Sequence, residues 1–123
     1  MSALAVPAFD TADIAPQLVC MADEEFDALD FGVVEMDHQY KVLRYNAAES
    51  RHTGITPGRL IGHHLFRDVA PYANNRQLAR RYQIDALDET VAHTFSMHMR
   101  MVPVTLRLLK PAYNERMYLL VKW

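Results

Sequence analysis

The sequence predicts an α+β domain, one antiparallel sheet with helices across one face. Three observations predict it. An apolar helical period over residues 11–30 precedes two short alternating runs, FGVVEMD and HQYKVLRY, around a polar turn. A middle region of helix starts follows. The tail then alternates as strand from HTFSMHMRM through VTLRLL to MYLLVKW. The 123 residues suit one domain with one modest core, organised as an N-terminal helical cap over 1–30 and a core over 31–123.

Each element has a local reason. In the cap, Leu18, Met21, Ala22, Phe26 and Leu29 recur at helical spacing, and Pro16 limits or kinks that helix early. The turn at residues 37–39 joins the first two strands into a hairpin. Asn46 is a candidate N-cap for the Ala-Ala-Glu turn, and Thr56-Pro57 is a second helix start with proline at the first position. Asn74 or Asn75 caps a longer helix over NRQLARRYQIDALDE, in which Leu78, Tyr82 and Ala86 repeat at four. Phe95, Met97, Met99 and Met101 then alternate with polar residues, as on a half-buried antiparallel strand. The last two strands are separated by a polar turn around Asn114-Glu115.

Composition removes several function classes. Half the residues are hydrophobic, 23% are charged and the net charge is −2, so no nucleic-acid footprint is expected. The local basic run Arg76, Arg80, Arg81 reads as a solvated helix face. Apolar runs are too short to span a bilayer, the N-terminus lacks the pattern of a secretory signal, and the one cysteine, Cys20, fits a reducing compartment. The expected location is cytoplasmic. His63 and His64 are adjacent and His93 and His98 fall on opposite faces of a strand, so no metal site is expected. No glycine-rich phosphate loop or nucleophile elbow is present.

The polar chemistry sits in YNAAESRHTG. Read as a helix, this stretch projects Tyr45, Glu49 and Thr53 from one face, because i and i+4 are neighbours. A carboxyl group in an apolar pocket stays neutral and can donate a hydrogen bond. Beside a tyrosine hydroxyl it makes a donor pair suited to a phenolate or enolate oxygen. The same triplet also suits a structural network tying a helix to the sheet.

VLRYNAAESRHTG followed by LIGHHLFRDVAP resembles the photoactive yellow protein family of PAS domains. DIAPQLVCMADEEFDALDFGVVEMD and the terminal YLLVK are similar to the same family, so the likeness runs over roughly residues 13–122. The resemblance implies strand order 2-1-5-4-3, with the N-terminal segment on the sheet face opposite the helices. In that family a 4-hydroxycinnamoyl group is thioester-linked to a cysteine, and its phenolate is held by a tyrosine and a protonated glutamate. Light isomerises the group, a proton moves to the phenolate and the cap loosens. By resemblance, Tyr45 and Glu49 are the phenolate-holding pair and Thr53 supports the tyrosine. Leu65, Val69 and Ala70 match one apolar wall of the pocket, and Phe95, Met97 and Met99 the other.

Two positions depart from the family. Tyr72 stands directly after VAP, where the anchoring cysteine belongs, and Cys20 lies in the cap instead. Ile55 stands where the family has an arginine that closes the pocket mouth. A thioester chromophore is therefore not expected. The expected ligand is a free, non-covalent phenolic or hydroxycinnamate-like molecule, bound at Tyr45, Glu49, Thr53, Leu65, Val69, Ala70, Tyr72, Phe95, Met97 and Met99. Three readings stay open: a sensor that binds such a small aromatic molecule and signals to a downstream protein; a small enzyme using Glu49 as general acid or base; or a structural module whose pocket Tyr72 fills. A homodimer is compatible with all three.

Overall fold

Asp37 makes the first reversal. Its carboxylate accepts the amide N–H groups of Gln39 (2.8 Å) and Lys41 (3.0 Å), and Tyr40 takes a left-handed φ of 65°. The chain therefore turns back from β1 (Gly32–Asp37) into β2 (Val42–Tyr45). The computed structural model describes residues 7–69, 76–97, 99–112 and 115–123. Along it run α1 (Ile14–Cys20), α2 (Asp23–Asp27), the β1–β2 hairpin and α3 (Ala47–Thr53). A 3₁₀ turn at Pro57–Arg59 and a π-helical turn at Leu65–Val69 precede α4 (Arg76–Arg81). β3 (Leu87–Met97), β4 (Arg100–Lys110) and β5 (Arg116–Lys122) complete the chain. The five strands form one antiparallel sheet in the order β2-β1-β5-β4-β3, as the resemblance implies.

Alternation along the strands gives the sheet two buried faces. On one, Val34, Met36, Leu106, Leu108, Met117, Leu119 and Val121 join Tyr45, Leu65, Phe66, Leu78, Tyr82 and Phe95 in the larger core. On the other, Val33, Leu109, Tyr118 and Leu120 pack against Ile14, Leu18, Phe26 and Leu29 of the cap. Two arginines rising from this second face grip the cap by its backbone. Arg44 makes a fork with Glu35 (2.9 Å for each arm) and donates to the carbonyls of Leu18 (2.9 Å) and Met21 (2.7 Å). Its guanidinium also lies 4.2 Å from the centre of the Phe26 ring. Arg107 makes a fork with Asp88 and donates to the carbonyls of Phe9 (2.9 Å) and Thr11 (2.7 Å).

Three expectations from sequence need correction. The cap is two helices, not one kinked at Pro16. Pro16 sits in the first turn of α1, where its missing N–H has no intrahelical role. The break falls after Cys20, where Arg44 takes the carbonyls of the last turn and Met21 becomes extended. The long helix after Asn75 closes after Arg81, and Leu87 already pairs with Lys110 in β3. Finally, HTFSMHMRM is not one strand. Met97 pairs with Arg100 and Ser96 with Met101, so the chain reverses between Met97 and Arg100. In the basic run, Arg80 is exposed and Arg81 pairs with Glu89.

Candidate functional site

Asn46 places the polar cluster. Fully buried, it caps α3 by accepting the Glu49 amide (3.1 Å) and also accepts the Val33 amide (3.0 Å). Its side-chain N–H₂ donates to the carbonyls of Phe31 (2.9 Å) and Phe26 (3.2 Å). One residue thus fixes the start of α3 against β1 and the cap. Tyr45 precedes the helix as the last residue of β2, so it does not share a helical face with Glu49. Glu49 and Thr53 do, one turn apart.

Thr53 joins the tyrosine to the helix. Its hydroxyl donates to the Glu49 carbonyl (3.0 Å), leaving Tyr45 to donate in the 2.9 Å bond between Tyr45 Oη and Thr53 Oγ1. Tyr45, Glu49 and Thr53 are all buried. The Glu49 carboxyl does not bond to Tyr45. It accepts the indole N–H of Trp123 at 2.8 Å between Oε1 and Nε1. Removal from water pushes its pKa up to about 8, a shift that the indole N–H only partly offsets, so at neutral pH it is mostly the neutral acid.

Gly32 makes this approach feasible. A Cβ there would stand 2.0 Å from Glu49 Oε1 and 3.1 Å from Trp123 Nε1. Trp123 follows the last ladder pair of β5, Lys122 with Thr105. Its ring stacks on His52 (4.8 Å between centroids, 8° between planes) and lies against Phe95 (5.4 Å, 58°). Trp123, His52 and Gly32 are the site residues that sequence reasoning missed. A terminal tryptophan reads locally as the end of a strand, and its partner Glu49 is 74 positions away.

The apolar wall is assembled in part. Leu65, Phe95 and Met97 share the larger core with Tyr45. Val69 ends the π-helical turn, its side chain lying outside the described residues, as do Ala70 and Tyr72. Met99 does not belong to the wall. It has a left-handed φ of 62° at the β3–β4 reversal and is fully exposed. Cys20, the only cysteine, is exposed at the end of α1, across the sheet from Tyr45.

A cleft of about 670 Å³ opens beside Trp123, between the N-terminal segment (Phe9, Asp10), the approach to β1 (Asp30, Phe31), His52 and Lys122. Among the described residues no three histidine, cysteine, aspartate or glutamate side chains converge as metal ligands. No described helix is long and apolar enough to cross a membrane.

Comparison with known proteins agrees with this architecture. Residues 26–108 match the PAS fold family. The photoactive yellow protein of Halochromatium salexigens is 30% identical over 118 residues, 93% of this chain and 94% of that protein. The protein of the same name from Rhodothalassium salexigens is 27% identical over 118 residues, with the same coverage of both chains. The crystal structure of the photoactive yellow protein domain from the sensor histidine kinase Ppr of Rhodospirillum centenum has a TM-score of 0.80 at 30% identity, covering 88% of this chain and 98% of that one. Agreement in sequence and fold across nearly the full length of both partners carries the conclusion that this chain belongs to the photoactive yellow protein family and is a PAS sensor module.

Proposed function

We propose that this PAS module binds a free phenolic or aryl-acid small molecule without a covalent bond, with Tyr45, Glu49 and Thr53 at the oxygen end of the ligand. Glu49 carries this reading. A carboxyl group held neutral inside an apolar core, next to a tyrosine–threonine pair, is suited to donate to a phenolate or carboxylate oxygen. Leu65, Phe95 and Met97 supply apolar contact to a flat ring. Cys20 supports the non-covalent part, because an exposed thiol on the cap is across the sheet from Tyr45 and Glu49. A thioester formed there would leave its chromophore in water.

Titration with 4-hydroxycinnamate tests the reading. The expected outcome is saturable binding, with the ligand absorption shifted from its position in water. Glu49→Gln should retain binding better than Glu49→Ala, because an amide still donates. Activated hydroxycinnamic acid should give no shifted absorption band on a covalent adduct. Absence of binding by the unaltered protein would overturn the ligand reading, and a shifted band on a covalent adduct would overturn the non-covalent one.

A further inference from the structure

We propose that the Trp123 side chain is an internal ligand: it occupies an aryl subsite that a free indole or phenol takes by exchanging with it through the cleft lined by Phe9, Phe31 and Lys122. This rests on the reading of Glu49 as a ligand-binding acid, and adds what the site selects and how a ligand reaches it.

The subsite is defined by contacts from separate elements. Glu49 of α3 accepts the ring N–H at 2.8 Å. His52, one turn further on, covers one ring face in parallel stacking. Phe95 of β3 meets the indole at 58°. The Gly32 backbone closes the floor so tightly that a single added carbon would collide with the hydrogen bond. Such a slot selects a flat ring with an N–H or O–H at its edge to face Glu49 Oε1, and a phenol that donates there can also accept from the acid's own O–H. A ring without a donor would leave the buried Glu49 oxygen unpaired, which lowers affinity roughly fivefold to a hundredfold.

Exchange is feasible because of how Trp123 is held. The β5 ladder ends at Lys122, so side-chain rotation of Trp123 breaks no sheet hydrogen bond. The adjoining cleft, of about 670 Å³, can receive both the arriving molecule and the displaced indole. Aromatic and charged groups line its mouth: Phe9 and Phe31 pack edge to face at 5.9 Å, with Asp10, Asp30 and Lys122 around them.

Trp123 is the only tryptophan, so its indole N–H gives one resolved signal in a nitrogen-15 NMR spectrum of the whole chain. Added 4-hydroxycinnamate or unlabelled indole should move that signal saturably toward the position of a water-exposed indole. Trp123→Ala should bind indole at least tenfold more tightly than the unaltered protein does. The same variant should prefer indole over 1-methylindole by about tenfold, since only the former donates. If 4-hydroxycinnamate binds while the Trp123 signal stays in place, the exchange is refuted and the ligand reading stands. Equal affinity of Trp123→Ala for indole and 1-methylindole refutes the donor selection. If neither protein binds any probe, both readings fall. The titration of the unaltered protein decides the exchange even if Trp123→Ala does not fold.

Discussion

Raising the pH should destabilise this domain through Glu49, and Glu49→Gln should remove that sensitivity. In the folded chain the carboxyl holds its proton up to about pH 8, against 4.5 for the unfolded chain. Between those values the folded state binds the extra proton, so stability falls as pH rises. The contribution is whole below pH 4.5, declines through the interval and is lost above pH 8. Each pH unit of separation is worth about 1.36 kcal/mol, so the gap amounts to about 5 kcal/mol at most. Because the group is buried, solvent screening does not reduce that figure. Against a typical stability of about 5–15 kcal/mol the effect is large.

Urea unfolding at pH 5, 7 and 9, on the unaltered protein and on Glu49→Gln, measures it. Glutamine keeps an acceptor for the Trp123 N–H and has no proton to lose. Other titrating groups, Glu35 and His93 among them, contribute alike to both proteins and cancel in the difference. The difference in unfolding free energy should shift against the unaltered protein by a few kcal/mol from pH 5 to pH 9. Parallel profiles would refute the neutral buried acid.

Three further substitutions test the scaffold. Gly32→Ala should cost about 1–2 kcal/mol in urea unfolding, since overpacking outweighs the small backbone gain of alanine in a strand. Most of that cost should vanish in a Glu49→Ala background, and an equal cost there would rule out the clash. Asn46→Ala should lose about 2–4 kcal/mol, because a helix cap and the partners of Val33, Phe26 and Phe31 disappear together. Arg107→Met keeps an apolar stem but releases the carbonyls of Phe9 and Thr11; limited proteolysis near residues 9–12 should accelerate, and an unchanged rate would show that the apolar cap contacts alone hold the segment.

Short-range signals were legible in the sequence, and signals that depend on distant partners were not. The β1–β2 hairpin and the Asn46 cap follow from residues within a few positions of one another. The methionine stripe misled because alternation is blind to a reversal. Pairing of Met97 with Arg100 places those two on one face, so Met101 lands with Ser96 on the other. Met97 is buried as the alternation suggests, whereas Met99 and Met101 are exposed. The apolar period overextends the helix after Asn75, because Leu78 on α4 and Tyr82 just past its end are both buried, while Ala86 is exposed and Leu87 joins the sheet. In the cap, the apolar period of the sequence runs on across the break between α1 and α2. What ends α1 is Arg44, a residue of β2.

Two glutamates show why burial alone does not identify the functional acid. Glu35 and Glu49 are each only 2% exposed, on opposite faces of the sheet. Burial pushes the Glu35 pKa up, yet the Arg44 fork, the Tyr118 hydroxyl and the nearby Arg116 more than reverse it, leaving the pKa below the ordinary value. Glu35 therefore stays ionised and anchors the arginine that grips the cap. Glu49 has an indole N–H in place of a guanidinium, and that donor is too weak to offset desolvation. Two glutamates equally hidden from solvent contact are thus an anion on one face and an acid on the other. The fuller desolvation of Glu49 and the cationic partner of Glu35 act together to separate them. A cation introduced beside Glu49 would thus abolish its role as a neutral donor even with the fold intact, whereas an uncharged aryl donor in the place of Trp123 would preserve it.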